Sequence, residues 1–476
     1  MANLIQEWKL QLAGYNRNIH LFLWFNFLWN MGLGMFGLDY NLYIRALGFS
    51  QTVVGDIIAM TTLASAIILV PAGILNDRFG SKRMITIGMV LVLGALTARS
   101  LLVSEGALLT SAFLFGVPFA IVSATILPFM TANAAPNQRV HLFSLNMALV
   151  MVANVIGNAL GGVLSDLLQV LAGLSEAVSL RYTLLIGIGI AAAGLVPVFQ
   201  FQPIAGSRSS VDRRRQELPG GMGATGSGGD AESAKGTNTA GAAGYAVSAD
   251  PARSSRPDGQ VRSAKPSPPE RIPMGVLWRE ERASFHVIGL FVLVGLLSSI
   301  GGGMVVPYLN LYFSDRFDAS NTAIGIVVSL GQGATAAAYL IGPMIVRRLG
   351  EPKAVVLLQL SSIPFLLLTA VTNNFLLACT GYLFRQALMN AGNPFYNTVK
   401  MNLVHRSLRG LAASSGEAVF HLGWFLAAPI STGLVAHYGS YYGYMYAFSI
   451  TVVLYTVVAI LFHLFFGRGK FEAAKD

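Results

Sequence analysis

The chain is 476 residues long, 54% of them hydrophobic and only 11% charged, with a formal net charge of +10. Soluble domains carry about 25% charged residues, so this chain lacks the polar surface to face water all round, and lipid must be its main solvent. The basic excess lies between apolar segments rather than along one polar face, which fits membrane loops and argues against nucleic acid. The single cysteine, Cys379, leaves no disulfide framework and no multi-cysteine metal site.

Residues 1–18 are polar and amphipathic, with Trp8, Lys9 and Arg17 and no small-residue cleavage site before the first span. They read as a retained cytoplasmic segment rather than a removable signal peptide. A crossing takes about 20 apolar residues. That ruler finds six segments in an N-terminal half over 19–201: 19–43, 52–75, 84–103, 107–131, 141–168 and 181–201. Residues 202–284 are rich in Gly, Ser, Ala, Pro and Arg and cannot bury a core; they are expected to be a disordered linker. Six more segments follow over 285–466: 285–313, 321–346, 353–372, 375–401, 408–436 and 441–466, then a tail over 467–476.

Basic residues cluster after the even-numbered spans: Arg78, Lys82 and Arg83, then Arg139, then Arg213 to Arg215, Arg347 to Lys353, and Arg406 with Arg409. By the positive-inside rule both termini and the linker are cytoplasmic. A shift of 270 places Gly55 on Gly325, Arg78 on Arg348, Gly80 on Gly350 and Arg139 on Arg409; one residue less places Asn41-Leu42-Tyr43 on Asn310-Leu311-Tyr312. Several matches at a nearly constant offset, in equivalent places, predict a duplicated half.

The loop after span two reads Gly73-Ile-Leu-Asn-Asp77-Arg78-Phe-Gly80-Ser-Lys82-Arg83. It resembles the G-x-L-x-D-R-x-G-x-K-R signature of the major facilitator superfamily, in the position where that family has it. The resemblance implies an all-α membrane protein, twelve transmembrane helices in two six-helix halves. It also implies a cytoplasmic gate: Gly73 for close helix approach, Gly80 for the turn, and Asp77 facing the N-terminal end of span eleven. The second-half copy is degenerate, with Arg347 in place of Asp77 and Pro343 in place of Gly73. In span five, Gly157-Asn158-Ala-Leu-Gly161-Gly162 resembles the superfamily's antiporter motif with Asn158 replacing its proline; glycines so spaced also let helices pack closely. The family's span-four basic motif has no match, because residues 107–131 hold no lysine or arginine.

Charges inside the membrane cost several kcal/mol unless paired or hydrated, by rough estimate. Arg385 lies about 15 Å deep in span ten, Glu417 at a similar depth in span eleven, and His421 one turn beyond it. An Arg385–Glu417 pair could hold the second half together, or the three could form part of a substrate or proton path. Asn30 of span one and Asn390 of span ten are weaker candidates for that path, able to line a cavity or to join helices. Asp39 and Asp56 are expected at the outer interface or gate, and the aromatics Trp24, Trp29, Phe36, Tyr40 and Tyr43 either pack or clasp an apolar substrate.

No nucleotide-binding loop, nucleophile elbow or metal-ligand spacing occurs, so no catalytic residue, metal or cofactor is expected, and the chain is not read as an enzyme. The expected function is secondary active transport by alternating access, proton-linked efflux of a small amphipathic or hydrophobic compound. Uptake of a sugar or metabolite, and a membrane sensor, stand as alternatives. The expected setting is the inner (plasma) membrane, as a multi-pass monomer among lipids, with a small-molecule substrate, possible protons and no nucleic acid.

Overall fold

The computed structural model describes residues 14–135, 138–202, 282–405 and 408–467. The first thirteen residues, almost all of the expected linker, Arg406 and the tail beyond Gly467 lie outside the described residues. The helices are α1 (Arg17–Ala46), α2 (Gln51–Phe79), α3 (Ser81–Leu101), α4 (Glu105–Asn133), α5 (Arg139–Ala172), α6 (Glu176–Ala193) and α7 (Leu195–Phe199). After these come α8 (Arg282–Val305), a short 3-10 turn (Val306–Tyr308), α9 (Leu309–Phe317), α10 (Asn321–Leu349) and α11 (Glu351–Val371). The last helices among the described residues are α12 (Phe375–Ala391), α13 (Asn393–Leu403) and α14 (Arg409–Phe466).

Ten helical segments among the described residues are long and apolar enough to cross a membrane. The twelve crossings read from the sequence follow from two local features. Helix α14 holds two crossings, because Gly439 at φ 74 reverses the chain inside it. The tenth crossing is split at Gly392, where Pro394 opens α13, so neither part alone is long and apolar enough. The chain is therefore an all-helical, multi-pass membrane protein. Helices run past the apolar ruler at the charged loops, α2 to Phe79 and α10 to Leu349. Backbone hydrogen bonding continues there after hydrophobicity has ended.

Lipid offers no partner for a polar group, and the helices supply their own. Thr61, Thr97, Thr125 and Thr369 each donate to a carbonyl four residues back. Gly80 and Gly350, at φ 82 and φ 78, join α2 to α3 and α10 to α11 through single residues in a region that favours glycine.

Successive crossings alternate, so residue 17 and residue 466 lie at the same end, called here the terminal end; the other is the far end. The halves meet along two seams, α2 against α14 and α5 against α10. The second seam is built on glycine. A Cβ on Gly157 would strike the Met31 carbonyl of α1, and one on Gly162 would strike the Asn321 carbonyl of α10. The antiporter-like motif thus packs on both halves at once.

The duplication is visible in the bonds. Asn41 Nδ2 donates to the Pro307 carbonyl (2.7 Å), and Asn310 Nδ2 donates to the Leu38 carbonyl (2.5 Å). Donors and acceptors are each 269 residues apart. Tyr43 donates to the Ser100 carbonyl and Tyr312 to the Thr369 carbonyl, at the same offset. Arg139 and Arg409 each reach the carbonyl five residues back.

Filling the glycine seam is expected to separate the halves. Gly162→Val should destabilise the protein by about 1–3 kcal/mol and lower its melting temperature in detergent. Gly433→Ala, with open space around its Cβ, should melt like the wild type. Equal melting of all three proteins would remove the seam's importance.

Candidate functional site

The bonds that join the halves among the described residues lie between the far end and the middle. Besides the paired asparagines, Gln51 Nε2 donates to Tyr444 (3.2 Å), and the Tyr444 hydroxyl donates to Asp315 (2.8 Å). Arg45 stands 3.8 Å from the same carboxylate. Across the other seam Asn321 donates to Ser165 (2.7 Å), the Thr322 N–H donates to Asp166 (2.8 Å), and Ser329 donates to the Val155 carbonyl (2.8 Å).

Below this seal lies a cavity of about 640 Å³, walled almost wholly by the second half, with Met147 of α5 reaching in from the first. Its lining runs from Lys400 and Ala412, near the terminal-end limits of α13 and α14, to Val306 and Arg385 near mid-helix. A smaller cavity of about 300 Å³ continues towards the seal between the halves, sharing Val306 and Gln386 with the first and adding Asn154, Asn158 and Gln332.

The proline break in the tenth crossing shapes the larger cavity. It swings Asn390, Asn393 and Asn397 onto the lining together with Tyr396 and Lys400. Asn393 donates to Asn390, which donates to Thr335 of α10. Arg385 is buried beside the cavity; its two terminal nitrogens donate to Gln386 Oε1 (3.0 Å) and the Tyr455 hydroxyl (3.3 Å), and its Nε has no partner. Glu417 also lines the cavity, but no ion pair joins it to Arg385 among the described residues. The expected pairing therefore fails as a contact. Lys400 comes to the same wall: its Nζ sits beside Gly416, next to Glu417 in the chain, though no ion pair joins the two among the described residues.

His421 does not line the cavity; its ring packs on Phe420 and its Nδ1 is buried without a partner. Asn30 is also away from both linings, donating to Asn26 one turn back, which in turn donates to Asn146 of α5. Asp39, seven residues from the far-end limit of α1, is wholly buried beside Gly161, both oxygens without a hydrogen-bond partner.

The loop motif divides. A Cβ on Gly73 would meet nothing within 4 Å, so close helix approach is not its role here. The Asp77 side chain lies outside the described residues. Arg78 is exposed over Phe79. Lys82 crosses to the sixth span, where its Nζ donates to the Phe199 (3.1 Å) and Phe201 (2.6 Å) carbonyls; a cation at a helix C-terminus is favoured by the exposed carbonyls there.

The sequence reading missed Arg99, Lys400, Trp424 and Tyr455. Arg99 was visible as a lone arginine in the third apolar run. It is buried, with its guanidinium 4.1 Å from the Tyr40 ring, 5.0 Å from Phe115 and 5.6 Å from Phe36. Part of the span-one aromatic set therefore cages a cation inside the first half, while Trp24 faces outward. Trp424 and Tyr455 carried no sequence signal beyond lying in apolar runs.

The family model described as Major Facilitator Superfamily matches residues 22–288 and 291–476. No curated protein sequence matches the chain significantly. Among solved structures, the nucleoside transporter NupG (D323A mutant) superposes with a TM-score of 0.67 at 13% identity, covering 95% of this chain and 100% of its own. A bacterial homolog of the human lysosomal transporter Spinster, solved inward-facing and unoccupied, gives 0.68 at 13% identity, covering 94% and 96%. A D-xylose-proton symporter gives 0.62 at 11%, covering 96% and 97%. At these identities the likeness is one of fold.

Lys82 is expected to fasten the loop to the sixth span. Lys82→Met should cost about 1.5–3 kcal/mol, the range for hydrogen bonds involving a charged group, and Lys82→Arg should recover part of it. Thermal unfolding in detergent measures both; no loss in Lys82→Met would leave the residue a purely topogenic charge.

Proposed function

Because the chain belongs to the major facilitator superfamily, we propose that it is a secondary active transporter working by alternating access, here closed at its far end and open at its terminal end. The observation that carries this reading is the one-sided closure: bonds between the halves cluster at the far end, and the cavity leads from mid-helix to the terminal end. The basic residues after α2, α4 and α10 support a cytoplasmic terminal end by the positive-inside rule, in a plasma membrane.

The cavity is then reached from the cytoplasm, and the direction proposed is efflux. An amphipathic solute suits its walls, where Phe291, Phe420 and Phe462 alternate with amide side chains. Proton linkage is assigned to Glu417, a carboxylate on the lining with Lys400 of a different helix reaching the wall beside Gly416. Rocking of the helices changes their separation and with it the carboxylate's affinity for a proton. When the terminal end closes, the loop bearing Asp77 would latch onto the start of α14.

Proteoliposomes carrying a panel of small amphipathic solutes test the coupling. At least one solute should move against its gradient when an opposing proton gradient is imposed, and Glu417→Gln should abolish that dependence while retaining solute binding. Pumping by Glu417→Gln at the wild-type rate would refute the assignment.

The closed far end is tested by cysteines. In a Cys379→Ala background, Asn41→Cys with Asn310→Cys should cross-link readily without solute, and oxidation should stop flux until the bond is reduced. Adding Asp77→Asn should raise the cross-link yield by favouring the terminal-open state. Undiminished flux through the oxidised protein would show that the asparagine contact is not the outer gate.

A further inference from the structure

Three hydrogen-bond donors converge at the deep end of the larger cavity with no carboxylate among them. The Arg385 guanidinium is one, buried and with its Nε unpartnered. The Tyr455 hydroxyl accepts from Arg385, which leaves its own proton free to be donated. The Trp424 indole N–H is the third. A Cβ placed on Gly302 would be 3.4 Å from the Tyr455 hydroxyl and 3.9 Å from Trp424 Nε1, so both polar atoms face the same small space. Gly302 leaves that space unfilled.

The charge balance of the cavity points the same way. Its chargeable side chains are two basic ones, Arg385 and Lys400, against a single carboxyl, Glu417. Lys400 reaches the wall beside Gly416, next to Glu417 and nearer the terminal end, and Arg385, about 20 Å further along the same crossing, has no carboxylate within ion-pair distance among the described residues. One positive charge is therefore left over, deep in the membrane, where an uncompensated charge is costly. A single carboxylate matches a fork of guanidinium donors in shape as well as charge. A phosphate dianion would call for a second cation nearby, and Lys400 is too distant. The walls beside these donors are aromatic, Phe420 packing on Trp424 with ring centroids 4.9 Å apart.

We infer that the deep end of this cavity is a carboxylate-binding site, and that the substrate is a small organic monoanion with an aromatic or apolar body. The carboxylate sits on Arg385, Tyr455 and Trp424, and the body lies along the aromatic wall towards the terminal end. This deepens the transport reading and rests on it only for movement; binding stands or falls separately.

Three probes of nearly one shape test it: indole-3-acetate, its neutral amide indole-3-acetamide, and the cation tryptamine, titrated by calorimetry into the purified full chain. The acid should bind at least about tenfold more tightly than the amide, the scale of a charge-assisted hydrogen bond, and tryptamine most weakly. Arg385→Gln should bring the acid-to-amide ratio close to one. Tyr455→Phe, which keeps the ring and removes only the hydroxyl, should weaken the acid about three- to tenfold and the amide less. Equal affinity for acid and amide, a preference for tryptamine, no binding of any probe, or an anion preference that survives Arg385→Gln would each overturn the proposal. An acid that binds with the stated preference but is not moved in proteoliposomes would overturn transport and leave the site.

Discussion

The far-end closure depends on a reciprocal pair of hydrogen bonds. Asn41 of α1 reaches the backbone of the seventh crossing, and Asn310 of that crossing reaches the backbone of α1. The arrangement exists because one asparagine was duplicated with its helix: donor and acceptor lie three residues apart on each side. The break at Val306–Tyr308 supports it, since Pro307 lies in a 3-10 turn where its carbonyl can turn outward. Amide-to-backbone bonds in a membrane interior typically contribute about 1 kcal/mol each, enough to favour one end closed and little enough for a solute to reverse. The other far-end contacts, from Gln51 through Tyr444 to Asp315 and from Asn321 to Ser165, join side chain to side chain. A seal of several modest bonds, rather than a large dry surface, is what rocking about a fixed site requires.

Much of this fold was legible in the sequence. Apolar runs of membrane length gave the twelve crossings, and the offset of 270 foretold that Gly80 and Gly350 would hold equivalent turns, as they do at φ 82 and φ 78. The glycine motif in the fifth crossing marked a close contact, because small residues signal approach whatever they approach. Which helices it approaches was not readable: α1 lies in its own half, and α10 comes within reach only once the halves are assembled.

The site was less legible, and rotation is the reason. Counting residues put Arg385 and Glu417 level, yet Arg385 lies 18 residues from the terminal-end limit of its crossing at Leu403 and Glu417 only 8 from Arg409, so the two differ in depth as well. Whether two side chains at one depth face each other depends on how each helix is turned. Here the break at Gly392–Pro394 turns Lys400 towards α14 and leaves Arg385 to Gln386 and Tyr455. A proline near a cluster of asparagines advertised a distortion without giving its direction. Tyr455 and Trp424 were hidden for another reason: in an apolar run an aromatic residue reads as packing, and only its neighbours reveal that its polar atom matters.

The two halves share a backbone but not a chemistry. At the 270 offset, Arg385 falls on Phe115, Lys400 on Met130 and Glu417 on Met147, so three charged groups of the second-half cavity have apolar counterparts in the first half. The first half keeps its own buried cation, Arg99, and encloses it: Phe115, at the position equivalent to Arg385, is one of the rings around it. Rings cover that guanidinium on three sides, and its Nε, like that of Arg385, has no hydrogen-bond partner; what differs is that no cavity opens onto it among the cavities described. Arg385 instead sits where the ring would be, with its aromatic neighbours arranged along a cavity. Duplication thus supplied two frames of similar geometry, and divergence enclosed the cation of one among rings and left that of the other beside a cavity. On the proposed alternating-access reading the asymmetry is useful, because a rocking partner that bound solute as strongly as the site itself would oppose its release.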